Sequence, residues 1–232
     1  MGYGLAVRND ANFLQIDGEY RNQVLLNRIT VATGTPESAG VAGAQTWNCG
    51  WYRYNARSPE SLVALRCSQP TTVLRVEQVN GTTSWIIICY EGSLALEIFE
   101  FGPAPVSAES GYGLNVWDAQ GRLAFSSNFS YMRAVDYLQV NYLTDKVHGQ
   151  DALGASVTYA AGRKYAVCSG WGAGSSWADE FDVGLALMSF NSIDAGFRLT
   201  YPTYWSAISH GTNSTSVTDG KYILLIIDVT GL

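Results

Sequence analysis

Apolar and polar positions alternate with a period of two along most of the chain. Tyr3, Leu5 and Val7 fall on one face of the opening segment, Gly4 and Ala6 on the other. Val73, Arg75, Glu77 and Val79 alternate with Leu74, Val76 and Gln78. This period predicts strands, whose successive side chains point to opposite faces. Further strands are expected over 13–16, 23–31, 47–54, 62–67, 94–101, 138–143, 155–159, 165–169, 181–190, 197–201 and 221–229. Trp85–Tyr90 is almost wholly apolar and reads as a strand buried on both faces. Turn residues separate these runs: Asn9-Asp10-Ala11-Asn12, Asn80-Gly81, Glu91-Gly92 and Asp219-Gly220. Ser58-Pro59-Glu60 has helix-start chemistry, but the alternation after it favours a strand. No amphipathic helix longer than two turns is expected. Residues 33–45, 144–152 and 170–176 read as loops.

The opening pattern occurs twice. Gly2-Tyr3-Gly4-Leu5-Ala6-Val7-Arg8-Asn9-Asp10 is matched without a gap by Gly111-Tyr112-Gly113-Leu114-Asn115-Val116-Trp117-Asp118. Leu14 then falls on Leu123, Ile16 on Phe125 and Tyr20 on Phe129. Internal repetition sets architecture. The fold class expected is all-β, with two tandem β-sandwich modules of jelly-roll or immunoglobulin-like type. The first would span 1–105 and the second, with longer loops, 106–232, joined by a short stiff linker at Gly102-Pro103-Ala104-Pro105.

Charged residues make up only 15% of the 232, well below an average soluble domain. Arginine outnumbers lysine 11 to 3. A surface this poor in charge, with Arg favoured over Lys, suggests contact with other protein and an oligomeric assembly. Net charge is −6, acidic in both halves. No basic stripe exists to displace counterions from phosphates, so nucleic acid is not an expected partner. No run is long and apolar enough to insert in a membrane as a helix, and no signal peptide is expected. Cys49, Cys67, Cys89 and Cys168 form no C-x-x-C pair and read as buried thiols of a protein folded in a reducing cytosol. No metal and no cofactor are expected.

Catalytic chemistry finds little support. His148 and His210, the only histidines, lie in polar stretches without a nucleophile motif. Asp179, Glu180 and Asp182 form the densest carboxylate group, without the spacing of a calcium loop. Gly170-Trp171-Gly172-Ala173-Gly174 lacks the Lys-Ser/Thr of a phosphate loop. No catalytic residue is assigned. The aromatics Trp171, Trp177, Tyr201, Tyr204 and Trp205 are the candidate ligand or receptor contacts. Such rings stack on sugars, line protein interfaces or fill a sandwich core.

The doubled Tyr-Gly-Leu-x-Val-x-Asn/Asp opening, with its turn and the Leu-x-Ile/Phe that follows, resembles the start of a family of small tailed-bacteriophage proteins. These belong to the tail tip and tail fibre. The resemblance covers residues 2–17 and 111–126. It implies a structural virion protein, assembled in the host bacterial cytoplasm and located in the tail, with other phage tail proteins as partners. It also implies a part in host recognition; a host-surface glycan, which the aromatic cluster could stack against, is the candidate ligand. The alternatives are a stand-alone carbohydrate-binding module and an enzyme acting on surface polysaccharide.

Overall fold

In the computed structural model the described residues are 6–8, 14–17, 22–32, 45–47, 49–90, 95–105, 112–140, 146–147, 150–151, 154–169, 174–178, 182–187, 189–200, 203–208, 214–217 and 222–232. All regular structure among them is β. The strands up to Pro103 are β1 (Ala6–Arg8), β2 (Leu14–Asp17), β3 (Gln23–Ala32), β4 (Gln45–Trp47), β5 (Cys49–Asn55), β6 (Leu62–Arg66), β7 (Thr71–Val79), β8 (Thr82–Tyr90) and β9 (Ala95–Pro103). Then come β10 (Asn115–Trp117), β11 (Leu123–Ser126), β12 (Ala134–Val140), β13 (Lys146–Val147), β14 (Gln150–Asp151), β15 (Ser156–Thr158) and β16 (Tyr165–Ser169). The last are β17 (Gly174–Ala178), β18 (Asp182–Leu187), β19 (Ser189–Ile193), β20 (Gly196–Thr200), β21 (Thr203–Ile208), β22 (Ser214–Val217) and β23 (Tyr222–Asp228).

The repeated openings form hairpins with the same register. Ala6 pairs with Asp17, Val7 with Ile16 and Arg8 with Leu14, with a bulge between Val7 and Arg8. Asn115–Ser126, Val116–Phe125 and Trp117–Leu123 reproduce these pairs 109 positions on, with the bulge in the same place.

The repetition extends to strand order. One six-stranded sheet runs β12-β23-β16-β6-β9-β3, the other β15-β20-β19-β7-β8-β5. Each takes three strands from before residue 105 and three from after it. Taken in chain order, β3, β5, β6, β7, β8 and β9 occupy the places of β12, β15, β16, β19, β20 and β23. A single register pair joins the halves in each sheet, Leu65–Val167 in the first and Thr71–Phe190 in the second. The expectation of two sandwiches strung on a linker therefore lacked their fusion edge to edge. One core spans both halves, with Leu65, Val73, Ile87, Leu96 and Ile98 packed with Val167, Phe190, Phe197, Leu224 and Ile226. Deep in it, Tyr222 Oη and Thr72 Oγ1 are hydrogen-bonded at 3.0 Å. Burial of this kind supplies most of the folding free energy.

Several local expectations change. Residues 102–105 are not a linker: Gly102 and Pro103 pair with Val24 and Gln23, and Ala104 is buried. A Cβ on Gly102 would lie 2.5 Å from Leu26 Cδ1, the end of a side chain that would have to turn to admit it. The 47–54 and 181–190 runs each divide between two sheets. The expected loop 144–152 contains the short β13–β14 pair, and β17 occupies part of the expected loop 170–176. Ser58 Oγ accepts from the Glu60 amide at 3.2 Å, closing a turn and not a helix. Asn80 and Gly81, with φ of 51° and 78°, make the tight hairpin turn their chemistry suggests. The Asp219-Gly220 turn lies outside the described residues.

A third sheet, β22-β17-β18-β21-β4, is built from insertions into the six-strand plan. Four of its strands come from the second half and β4 from the first.

Candidate functional site

Three of the five candidate aromatics lie on this third sheet. Trp205 on β21 is paired with Leu185 and with Trp47 of β4. Trp177 on β17 pairs with Gly184 and Thr215, one row of the ladder away from Trp205. Tyr204 falls at the bulge between the Leu185 and Ala186 pairs. Trp171 and Tyr201 lie outside the described residues, as do His148, His210, Asp179 and Glu180. Asp182 stands on β18 opposite Ile208. No group of three metal-ligating side chains occurs among the described residues.

A concavity lined by described residues lies elsewhere, where the second half meets β3. A cavity of about 690 Å³ is lined by Asn22, Gln23, Tyr131, Arg133, Arg163 and Asp228, among others. The chain from 129 to 132 runs beside β3: the Leu25 amide donates to Ser130 O at 2.7 Å and the Met132 amide to Gln23 O at 2.9 Å. This seats Tyr131 at the wall, with its ring stacked on Phe125 at 4.9 Å between centroids and 10° between planes. Tyr131 Oη donates to Ser126 O at 2.9 Å and accepts from the Ser126 amide. Burial raises its pKa despite these bonds.

Asp228, at the end of β23, is the polar centre of the cavity. Only 2% of it is exposed. Arg163 Nη1 donates to Oδ2 at 2.5 Å, the Thr230 amide donates to Oδ1 at 2.9 Å, and Arg133 Nη2 stands 3.6 Å from Oδ1. Arg133 also donates to Thr230 O at 2.5 Å. Burial alone would push the carboxyl up. The Thr230 bonds and the Arg163 and Arg133 charges outweigh it and hold Asp228 below the ordinary carboxylate range. Both guanidinium groups remain about half exposed, at 47% and 51%, so each presents N–H donors to solvent.

The site thus offers an aromatic wall, a fixed carboxylate, two partly free guanidinium groups and the amides of Asn22 and Gln23. Asn22 Nδ2 already donates to Ala124 O at 3.0 Å, while Gln23 Oε1 is buried with no partner. Such a lining can hold a hydroxyl-rich or anionic ligand by bidentate and charge-assisted hydrogen bonds. Among the cavity's lining residues Asp228 is the only carboxylate, whereas glycoside hydrolysis by the usual route uses two.

These residues were missed from sequence because aromatic density drew attention to 171–205. A signal was present: an acid inside an apolar strand, Ile226-Ile227-Asp228-Val229, needs a buried partner.

The second hairpin carries a different surface. Tyr112 is fully exposed, and Leu114 and Trp117 are 51% and 53% exposed. These are large side chains left in water within one short stretch of the chain.

No family model, curated protein or solved structure matches this chain.

Proposed function

We propose that the protein is a structural, non-enzymatic component of a bacteriophage tail tip or tail fibre, contributing to tail assembly and host-surface recognition. The observation that carries this reading is the exposed Tyr112, Leu114 and Trp117 of the second hairpin, on a chain otherwise poor in charge. Apolar and aromatic side chains left in water at this density suit a surface buried in an assembly. The doubled hairpin is also the part of the chain that resembles phage tail proteins. Gold-labelled antibody against the protein, applied to purified virions of the phage encoding it, should decorate the tail end. Labelling confined to lysate, with none on particles, overturns the reading.

The cavity at Asp228 favours a second reading, carbohydrate binding, which can coexist with the first. An aromatic wall beside amides, guanidinium groups and a carboxylate is the chemistry that recognises a saccharide. Soluble protein applied to an array of bacterial-surface oligosaccharides should retain at least one of them. No retention by folded protein removes this reading and leaves the tail reading standing.

A further inference from the structure

The cavity at Asp228 has a neighbour. In the first six-stranded sheet β23, β16, β6 and β9 are consecutive. Asp228 pairs with Tyr165, the first residue of β16, and Arg66, the last residue of β6, pairs with Glu97 of β9. Leu65 and Val167 pair antiparallel, so the start of β16 and the end of β6 lie at the same end of the sheet. That end carries, in strand order, Asp228, then Arg163 and Lys164 just ahead of β16, then Arg66 and Glu97. Strands stand about 4.8 Å apart, so the row spans roughly 14 Å. A second cavity, of about 630 Å³, is lined there by Arg66, Tyr159, Arg163, Lys164 and Asp194, among others. Arg163 borders both cavities and is the wall they share.

Both cavities are rich in positive charge and in donors. Among the described residues that line them, the cations Arg66, Arg133, Arg163 and Lys164 stand against the carboxylates Asp194 and Asp228, on a chain of net charge −6. Asp228 is already taken by Arg163, Arg133 and the Thr230 amide. Glu97, 2.5 Å from Arg66, is shared with Arg28, which also donates to Leu232 O. Each guanidinium carries five N–H donors and an ammonium three, so most of these donors are left for a ligand. Lys164 is held by its backbone amide, which donates to Thr230 Oγ1 at 2.8 Å, and its ammonium has no ion pair among the described residues. The turn that presents Arg163 and Lys164 is fixed. Gly162 takes a φ of 75°, the Ala160 amide donates to Tyr165 Oη at 3.2 Å, and the Tyr159 amide donates to Ala195 O at 2.8 Å. Donors held in place before binding cost less to order. Gln23 Oε1, buried and without a partner at the first cavity, is an acceptor suited to a ligand hydroxyl.

We propose that the ligand is an acidic oligosaccharide, laid across both cavities with its anionic groups on the arginines and Lys164. This rests on the carbohydrate reading above and names the class of sugar. A carboxylate or phosphate on one ring accepts from Arg163 and Arg133, and one on a neighbouring ring accepts from Lys164 and Arg66. A ring hydroxyl donates to Gln23 Oε1. Charge-assisted bonds of this kind are about twice as strong as those between neutral groups. A neutral sugar of the same shape gives the guanidinium groups weaker partners, so the site discriminates by charge. The row of charges is longer than one sugar ring, which favours an oligomer over a single sugar.

The test uses the whole protein and an array of bacterial-surface oligosaccharides. Uronate-bearing sugars are printed beside their carboxyl-reduced partners and phosphate-bearing sugars beside their dephosphorylated ones, with poly-glutamate as a plain polyanion. Retention is expected on at least one acidic set, and at least about tenfold weaker on its neutral partner. The set retained tells carboxylate from phosphate. Raising sodium chloride from about 50 to about 500 mM should weaken retention by a similar factor. Lys164→Ala should weaken it at least about threefold, while Arg198→Ala, which removes an exposed cation outside both cavities, should leave it unchanged. Equal retention on a neutral partner overturns this inference and leaves the carbohydrate reading standing. Poly-glutamate held as well as the sugar shows a site for charge alone and overturns the inference too. No retention of any sugar by folded protein removes both readings. Unchanged retention by Lys164→Ala overturns the span across the second cavity, and this side chain is exposed, so its loss leaves the core intact.

Discussion

Glu100 and Asp228 occupy the same place in the two halves of the molecule and have opposite surroundings. Leu65 and Val167 meet across the sheet junction; two residues back, Val63 pairs with Glu100 and Tyr165 with Asp228. Both acids are buried, Glu100 within β9 and Asp228 at the end of β23. Glu100 is enclosed by neutral donors: Tyr54 Oη at 2.5 Å, the Arg57 amide at 2.6 Å and Ser61 Oγ at 2.6 Å. Burial, and then the bond to Glu100, raise the Tyr54 pKa, so its phenol stays a donor. Asp228 is held by exposed arginines and opens onto a cavity. One scaffold position has become a lock in the first half and a candidate binding centre in the second. The difference lies in the turn before the junction strand. In the first half it delivers a backbone N–H and a hydroxyl, in the second a guanidinium.

Removing the lock should have the largest effect. Glu100→Ala would leave the donors from Tyr54, Arg57 and Ser61 unsatisfied inside the core, a cost of about 3 kcal/mol. The melting temperature should fall by roughly 6–12 °C. A fall below about 2 °C in thermal unfolding would show that water satisfies these donors and that Glu100 is no lock.

Next is the bond that crosses between the halves. Tyr222→Phe removes the hydroxyl that meets Thr72 and leaves Thr72 without that partner in the core. About 1.5 kcal/mol is expected, roughly 3–6 °C. If the halves unfold separately, calorimetry of this variant should resolve two transitions. One transition, as the shared core implies, supports a single cooperative unit.

Asp228→Asn should have a smaller effect, and one that depends on pH. The folded-state pKa of Asp228 is depressed, so its stabilisation is fully present above the unfolded value near about 3.9. It is lost as pH falls through the folded value. The melting-temperature gap between Asp228→Asn and the unmutated protein should be widest at neutral pH and close in acid. Added salt should narrow it. A gap that widens as pH falls would contradict the Arg163 pairing.

Much of this architecture could be read from the chain and some could not. The doubled hairpin was legible because register follows side-chain alternation and turn chemistry, both of which are local. The fusion of the halves was not: edge strands join through backbone groups that every residue carries, so no side chain signals the pairing. Gly102-Pro103 read as a linker because glycine and proline suit one, yet both are paired with β3 at the end of β9. The short strand β22 sits in polar, serine- and threonine-rich sequence without strong alternation. The two buried acids were readable in principle, each set in an apolar string, Ile98-Phe99-Glu100-Phe101 and Ile226-Ile227-Asp228-Val229. What distinguishes lock from site lies in turns about forty to sixty-five residues earlier, and only the fold brings them together.

The smallest expected change in stability comes from Arg163→Ala, and it divides the two halves by function. Its guanidinium is about half in water, and Arg133 and the Thr230 amide still face the buried carboxylate without it, so removing it should lower the melting temperature less than the changes above. In the carbohydrate reading the same group is a donor to the ligand, and losing one charge-assisted bond should weaken retention on the oligosaccharide array at least about tenfold. Arg57→Ala is the matching change in the first half. It removes the bonds to Leu26 O and Asn27 Oδ1 but keeps the backbone amide on Glu100, and should leave retention unchanged. Trp205→Ala separates the cavity from the third sheet: retention lost there and kept in Arg163→Ala would move the glycan contact from Asp228 to the aromatic rows of β21 and β4.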